Sequence, residues 1–172
     1  MKRFLLLAIV LSGCQASPTP KNTVDAYLEV LQKGKTQQQQ ELSCRRKDEV
    51  KSNDLLTNVE KWEVTEQETV TAKDDSDAKV EVVSAKVETK TIGGFSVTRT
   101  WKFAVWKSDD FFEARKRRAD LLNQSAAKTD ELVNRVNALA GQEPVEIRKP
   151  EVPQRSDYSS KLYCIWQFAN ES

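Results

Sequence analysis

Apolar residues along this chain change period several times, and each change marks a new element. A continuous apolar run from Phe4 to Leu11 follows Lys2 and Arg3. Val24, Tyr27, Leu28 and Leu31 then fall at one-face helical spacing, with Asn22 or Thr23 as the expected cap and Gly34 as the expected stop. Thr36 to Ser43, which contains Gln37 to Gln40, reads as one or two further helical turns, followed by a polar stretch that carries Val50, Leu55 and Leu56. From Val59 the period becomes two: Trp62 and Val64 alternate with charged neighbours and lead to Val70. Lys73 to Asp77 predicts an acidic turn, and Val80 and Val82 resume the alternation.

After Val82 the apolar parity flips to Val83, Ala85 and Val87, which predicts a bulge within that strand and a curved sheet. Gly93-Gly94 supplies a tight turn, and beyond it Phe95, Val97, Trp101, Phe103 and Val105 form the clearest strand of the chain. Asp109 or Asp110 then opens a helical segment that runs to Gly141, with Pro144 beyond it. Its seam is Phe112, Arg115, Ala119, Leu122, Ala126, Thr129, Val133, Val136 and Ala140, broken by Arg115 and Thr129. Such a seam suits a helical arm or a two-helix excursion, lying on its own domain or, alternatively, offered to a partner. Glu143 to Ser156, with Pro144, Pro150 and Pro153, reads as an extended return, and Leu162, Cys164, Trp166 and Phe168 as a closing strand. The order predicts an α+β fold: N-terminal helices on a curved antiparallel sheet of about four strands, with a helical insertion (109–141) before the last strand.

The first residues change the picture from fold to address. A charged start, an apolar run too short to span a bilayer and a small-residue end make the layout of an export signal. The end of that signal, Leu11-Ser12-Gly13-Cys14, resembles the lipobox of bacterial lipoproteins at all four positions. The resemblance implies cleavage between Gly13 and Cys14 and a diacylglycerol thioether on Cys14, often with a further acyl chain such as palmitate on the new amino group. Two or three chains hold a protein stably at a membrane. Gln15, where an Asp resembles an inner-membrane retention signal, leans the address toward the periplasmic face of the outer membrane in a Gram-negative cell. Residues 1–13 are thus the expected signal peptide, 14–21 the lipidated cysteine and tether, and 22–172 one domain.

Removing the signal leaves 159 of 172 residues, in which 25 basic side chains face 26 acidic ones. No global field favours nucleic acid. Histidine is absent, which removes the commonest acid/base group and metal ligand. Cys44 and Cys164 remain as an even pair in an oxidising compartment and read as a structural disulfide. The aspartates at 74, 75 and 77 lack the glycine and terminal glutamate of a calcium loop and read as a solvated turn. The basic run from Arg115 to Arg118 is a candidate for anionic headgroups, although Asp109, Asp110, Glu113 and Asp120 flank it, so a solvent-facing helix side is the plainer reading. Of the tryptophans, Trp106 stands off the parity of its strand's core face, which makes it the candidate for an exposed binding ring.

The segment Thr23 to Gly34, the strand pair spanning Val80 to Val105 and Tyr163 to Phe168 resemble small lipoproteins of the NTF2-like, or cystatin-like, superfamily. That resemblance implies helices packed in the concavity of a bent sheet; the long helical segment after Trp106 departs from it. Enzymes of the superfamily place Asp, His or Tyr inside the cone, and no matching motif stands here. No nucleophile with a base, facing carboxylate pair or phosphate-cradling loop is found, so no catalytic residue, metal ligand or cofactor is expected. The expectation is a non-enzymatic, membrane-anchored envelope lipoprotein that acts on a protein partner through residues 110–141. The alternatives are a carrier of a small apolar ligand and an unrecognised hydrolase or isomerase. Oligomeric state stays open.

Overall fold

The computed structural model describes residues 17–46, 49, 58–72, 78–91 and 93–171, with side chains through 166. The Phe4–Leu11 run, Gly13, Cys14, the hydrophobics at 50, 55 and 56, and the aspartates at 74, 75 and 77 lie outside the described residues. The chain is α+β: helices α1 (Pro20–Gln32) and α2 (Thr36–Leu42), strands β1 (Asn58–Thr71), β2 (Lys79–Lys90) and β3 (Ser96–Lys107), helix α3 (Ser108–Leu139), a 3-10 turn (Arg155–Asp157) and strand β4 (Tyr163–Glu171). The strands make one open antiparallel sheet in the order β1-β2-β3-β4.

The first helix begins earlier than its apolar pattern suggests. Thr19 caps it by accepting the Asn22 N–H at 3.2 Å, and Pro20 occupies the first turn. Proline is at home there, because its missing N–H would have no helical partner anyway. Pro20 and Lys21, expected in the tether, therefore belong to α1. Gly34, at φ +62°, ends the helix as expected.

Val24, Tyr27, Leu28 and Leu31 of α1 pack on one face of the sheet, against Val83, Ala85, Val87, Trp101, Phe103, Val105 and Ile165. Leu28, Val83 and Phe103 are fully buried. Burying a side chain of that size stabilises by about 1.5–3 kcal/mol. The opposite face carries a second cluster: Val80, Trp106 and Cys164, whose register places them on the other side, join Phe111 of α3, Ala78, Tyr158 and Cys44.

This second cluster corrects the expected bulge in β2. Val80 and Val83 differ in parity because they face different cores, while β2 pairs with β3 in unbroken register from Glu81 to Lys90. The irregularities sit in β1, between Val59 and Lys61 and between Val64 and Glu66, and where β3 meets β4. The first of them lets odd-numbered Val59 and even-numbered Trp62 approach the same core. In the closing strand, Cys164 and Trp166 join the second cluster and Ile165 the first, whereas Leu162 precedes the strand and is exposed.

Cys44 and Cys164 form a disulfide, with their Cα atoms 5.0 Å apart. It joins the segment leaving α2 to the edge strand β4, where the Cys44 N–H also donates to the Ile165 carbonyl at 2.9 Å. At Ile165 an open carbonyl of that edge strand is thereby satisfied.

Candidate functional site

Helix α3 starts directly from β3 and runs for 32 residues, about 48 Å at 1.5 Å per residue. It is one continuous helix, not a two-helix excursion. Asp109 and Asp110 in its first turn suit the positive end of the helix dipole. Ser108, Phe111 and Ala119 are its buried residues, and all lie in the first twelve positions. Phe111 packs edge-on against Trp106 at 5.5 Å between ring centroids and lies 5.1 Å from the Trp166 ring. The helix is thus seated at its base. It does not lie along its own domain over its full length, which was the plainer expectation from its broken seam.

The outer half is held by a strap. Residues 142–154 run back along α3 in extended form, and three polar side chains spaced along the helix fix them. The Asn137 side-chain amide donates to the Glu143 carbonyl at 3.3 Å. The Val145 N–H donates to Asn134 Oδ1 at 2.7 Å, and the Ile147 N–H to Asp130 Oδ1 at 2.7 Å. At the base, Arg155 closes the return. It pairs with Asp109 at 2.9 Å, donates to the Ser159 carbonyl at 2.6 Å and lies over the Phe112 ring at 6.0 Å.

The strap leaves an apolar stripe open. Leu122, Ser125, Thr129, Leu132, Val136 and Leu139 alternate at spacings of three and four and all stand exposed. Leu132 and Val136 are each 62% exposed and Leu139 86%. The strap-bearing positions Asp130, Asn134 and Asn137 lie about a third of a turn away around the helix. Beside the stripe, on the edge away from the strap, Lys128 and Arg135 are exposed.

The earlier candidates do not converge. Trp106, expected as an exposed ring, is only 9% exposed, because the base of α3 covers the face that looked free from β3 alone. Its indole N–H is buried and has no acceptor among the described residues. The Arg115 guanidinium lies over Trp166 at 5.6 Å, Arg117 lines a cleft, and Arg118 is exposed, so the basic run does not present one patch. That cleft, about 500 Å³, lies between the end of the sheet and the base of α3, and Lys79, Glu81, Lys107, Asp110, Glu113 and Arg117 line it. A second, of about 480 Å³, is lined by Lys21, Glu66, Glu68, Ser84 and Lys102 among others. Both mix charges of either sign, unlike an apolar ligand site.

Glu29 is held below the ordinary carboxylate range by the hydrogen bond and charge of Lys33, a pair on the exposed side of α1. Among the described residues no cluster of metal-ligating side chains is found, and no helix is long and apolar enough to cross a membrane. The residues missed from sequence are Leu132, Leu139, Lys128 and Arg135. Three-four spacing admits two adjacent seams on one helix, and the expected one, through Ala126 and Val133, runs along the half-sheltered border of the strap. Comparison with known proteins finds no matching family model, no similar curated protein and no similar solved structure.

Proposed function

We propose that this protein is an envelope lipoprotein, cut between Gly13 and Cys14 and anchored by acyl chains on Cys14, whose non-enzymatic task is to bind a protein partner through α3. The single observation that carries the interaction reading is the uncovered stripe through Leu122, Leu132, Val136 and Leu139 on a helix seated only at its base. Large apolar side chains exposed in line on one helix mark contact surfaces more often than scattered ones do. The anchor rests on the lipobox resemblance, and the outer-membrane address on Gln15. Kinship with NTF2-like lipoproteins belongs to the same proposal, supported by the packing of α1 on one face of the sheet. The carrier reading has less support, because α1 fills that face with fully buried side chains and the described clefts are charged.

Two variants of the full chain, expressed in a bacterial envelope, test the proposal. Cys14→Ser is expected to leave the chain unprocessed at that site and to remove lipid labelling; retained processing and labelling would refute the anchor. Affinity capture with and without Val136→Asp tests the stripe. The proposal requires a co-purifying protein that the variant loses, and an unchanged set of co-purifying proteins would refute it.

A further inference from the structure

We infer that the stripe on α3 receives an amphipathic helix of another protein that carries carboxylates along one edge. This inference rests on the interaction reading above and specifies the partner's chemistry.

The phasing points to a helix. From Leu122 to Leu139 the exposed seam keeps the alternate three-four spacing that places side chains into the gaps of a facing helix. The two edges of the seam differ in charge. On the edge away from the strap stand Lys128 and Arg135, seven residues apart, both exposed and neither in an ion pair among the described residues. On the other edge stand Ala126 and Val133, half-sheltered beside the strap. A helix docked on the seam therefore meets two cations at the flanking positions nearest the seam on one side, with Glu131 one position further out, and small or apolar surface on the other.

A second copy of this chain fits that arrangement poorly. Laid antiparallel, Lys128 of one copy faces Arg135 of the other, a like-charge contact. Laid parallel, the same cations face the Val133 and Ala140 positions, which supply no carboxylate. Ser125 and Thr129 in mid-seam further weaken a self-paired core. Glutamate or aspartate on the incoming edge answers both cations, and interhelical pairs at such flanking positions select partners.

The test uses the full-length protein and two fluorescent synthetic helical peptides with leucine at the packing positions, one with glutamate and one with lysine at the flanking positions. The glutamate peptide is expected to bind about tenfold more tightly at low salt, with the preference shrinking as salt rises. The double variant Lys128→Glu/Arg135→Glu is expected to reverse the preference, and Leu132→Asp to abolish binding of both. Equal binding of the two peptides, or binding of neither, overturns the inference. So does self-association that Leu132→Asp abolishes, or stripe-dependent binding to phosphatidylglycerol vesicles without peptide preference. Failure here leaves the interaction reading standing if envelope capture still depends on Val136, whereas loss of that dependence removes both.

Discussion

The carboxylate of Asp130 accepts the backbone N–H of Ile147 at 2.7 Å, tying the strap to the outer half of α3 seventeen residues earlier in the chain. With Asn134 and Asn137 it forms a row of polar side chains that satisfies extended backbone on one side of the helix. The apolar stripe stays uncovered because the strap is held by hydrogen bonds on a different side, and not by burial of those leucines. Replacing Asp130 and Asn134 together by alanine is expected to speed hydrogen exchange at Val145 and Ile147 by about tenfold or more, as local opening becomes easier. Exchange in β2 and β3 is expected to stay unchanged. Unaltered protection of the strap would show that something other than these side chains holds it.

The two cores give separate expectations for stability. Leu28 of α1 is fully buried against the sheet and Leu132 stands 62% exposed on the arm. Denaturant unfolding is expected to show a loss of about 2–5 kcal/mol for Leu28→Ala. Leu132→Ala is expected to cost less than about 0.5 kcal/mol. A large loss at Leu132 would mean that the stripe supports the fold of its own chain.

The disulfide spans 120 residues and joins the α2 exit to β4. Removing it as Cys44→Ala/Cys164→Ala is expected to cost about 2–4 kcal/mol, because the unfolded chain regains the freedom of a long loop. Adding reductant to the unmodified protein should lower the unfolding midpoint to a similar degree once the bridge opens. A midpoint indifferent to both changes would contradict a structural role for the bond.

Much of this architecture is legible in the hydropathy pattern, and what is not has separate physical causes. Alternation at Trp101, Phe103 and Val105 identified β3, and helical spacing from Val24 to Leu31 identified α1, because each buries one face against a single core. A one-core assumption turns Val80 and Trp106, both residues of the second core, into a parity error and an exposed ring. Nothing in β3 itself announces that Phe111, five residues beyond Trp106, returns to cover that face. Pro20 reads as a breaker, and so as tether, unless the cap before it, Thr19, is recognised. On α3 the helical period was plain, but the choice between two adjacent seams was not. The cover on the outer half comes from backbone bound to Asp130, Asn134 and Asn137, and such contacts leave no mark in an apolar pattern.

Site-specific photo-crosslinking in intact envelopes tests the central claim most directly, with the photoreactive residue placed at Leu132 on the stripe or at Glu131 on another side of the same turn. The account predicts a discrete protein adduct from position 132 that is absent at 131 and disappears when Val136 is also changed to aspartate. Equal adducts from both positions, or none from position 132, would contradict it.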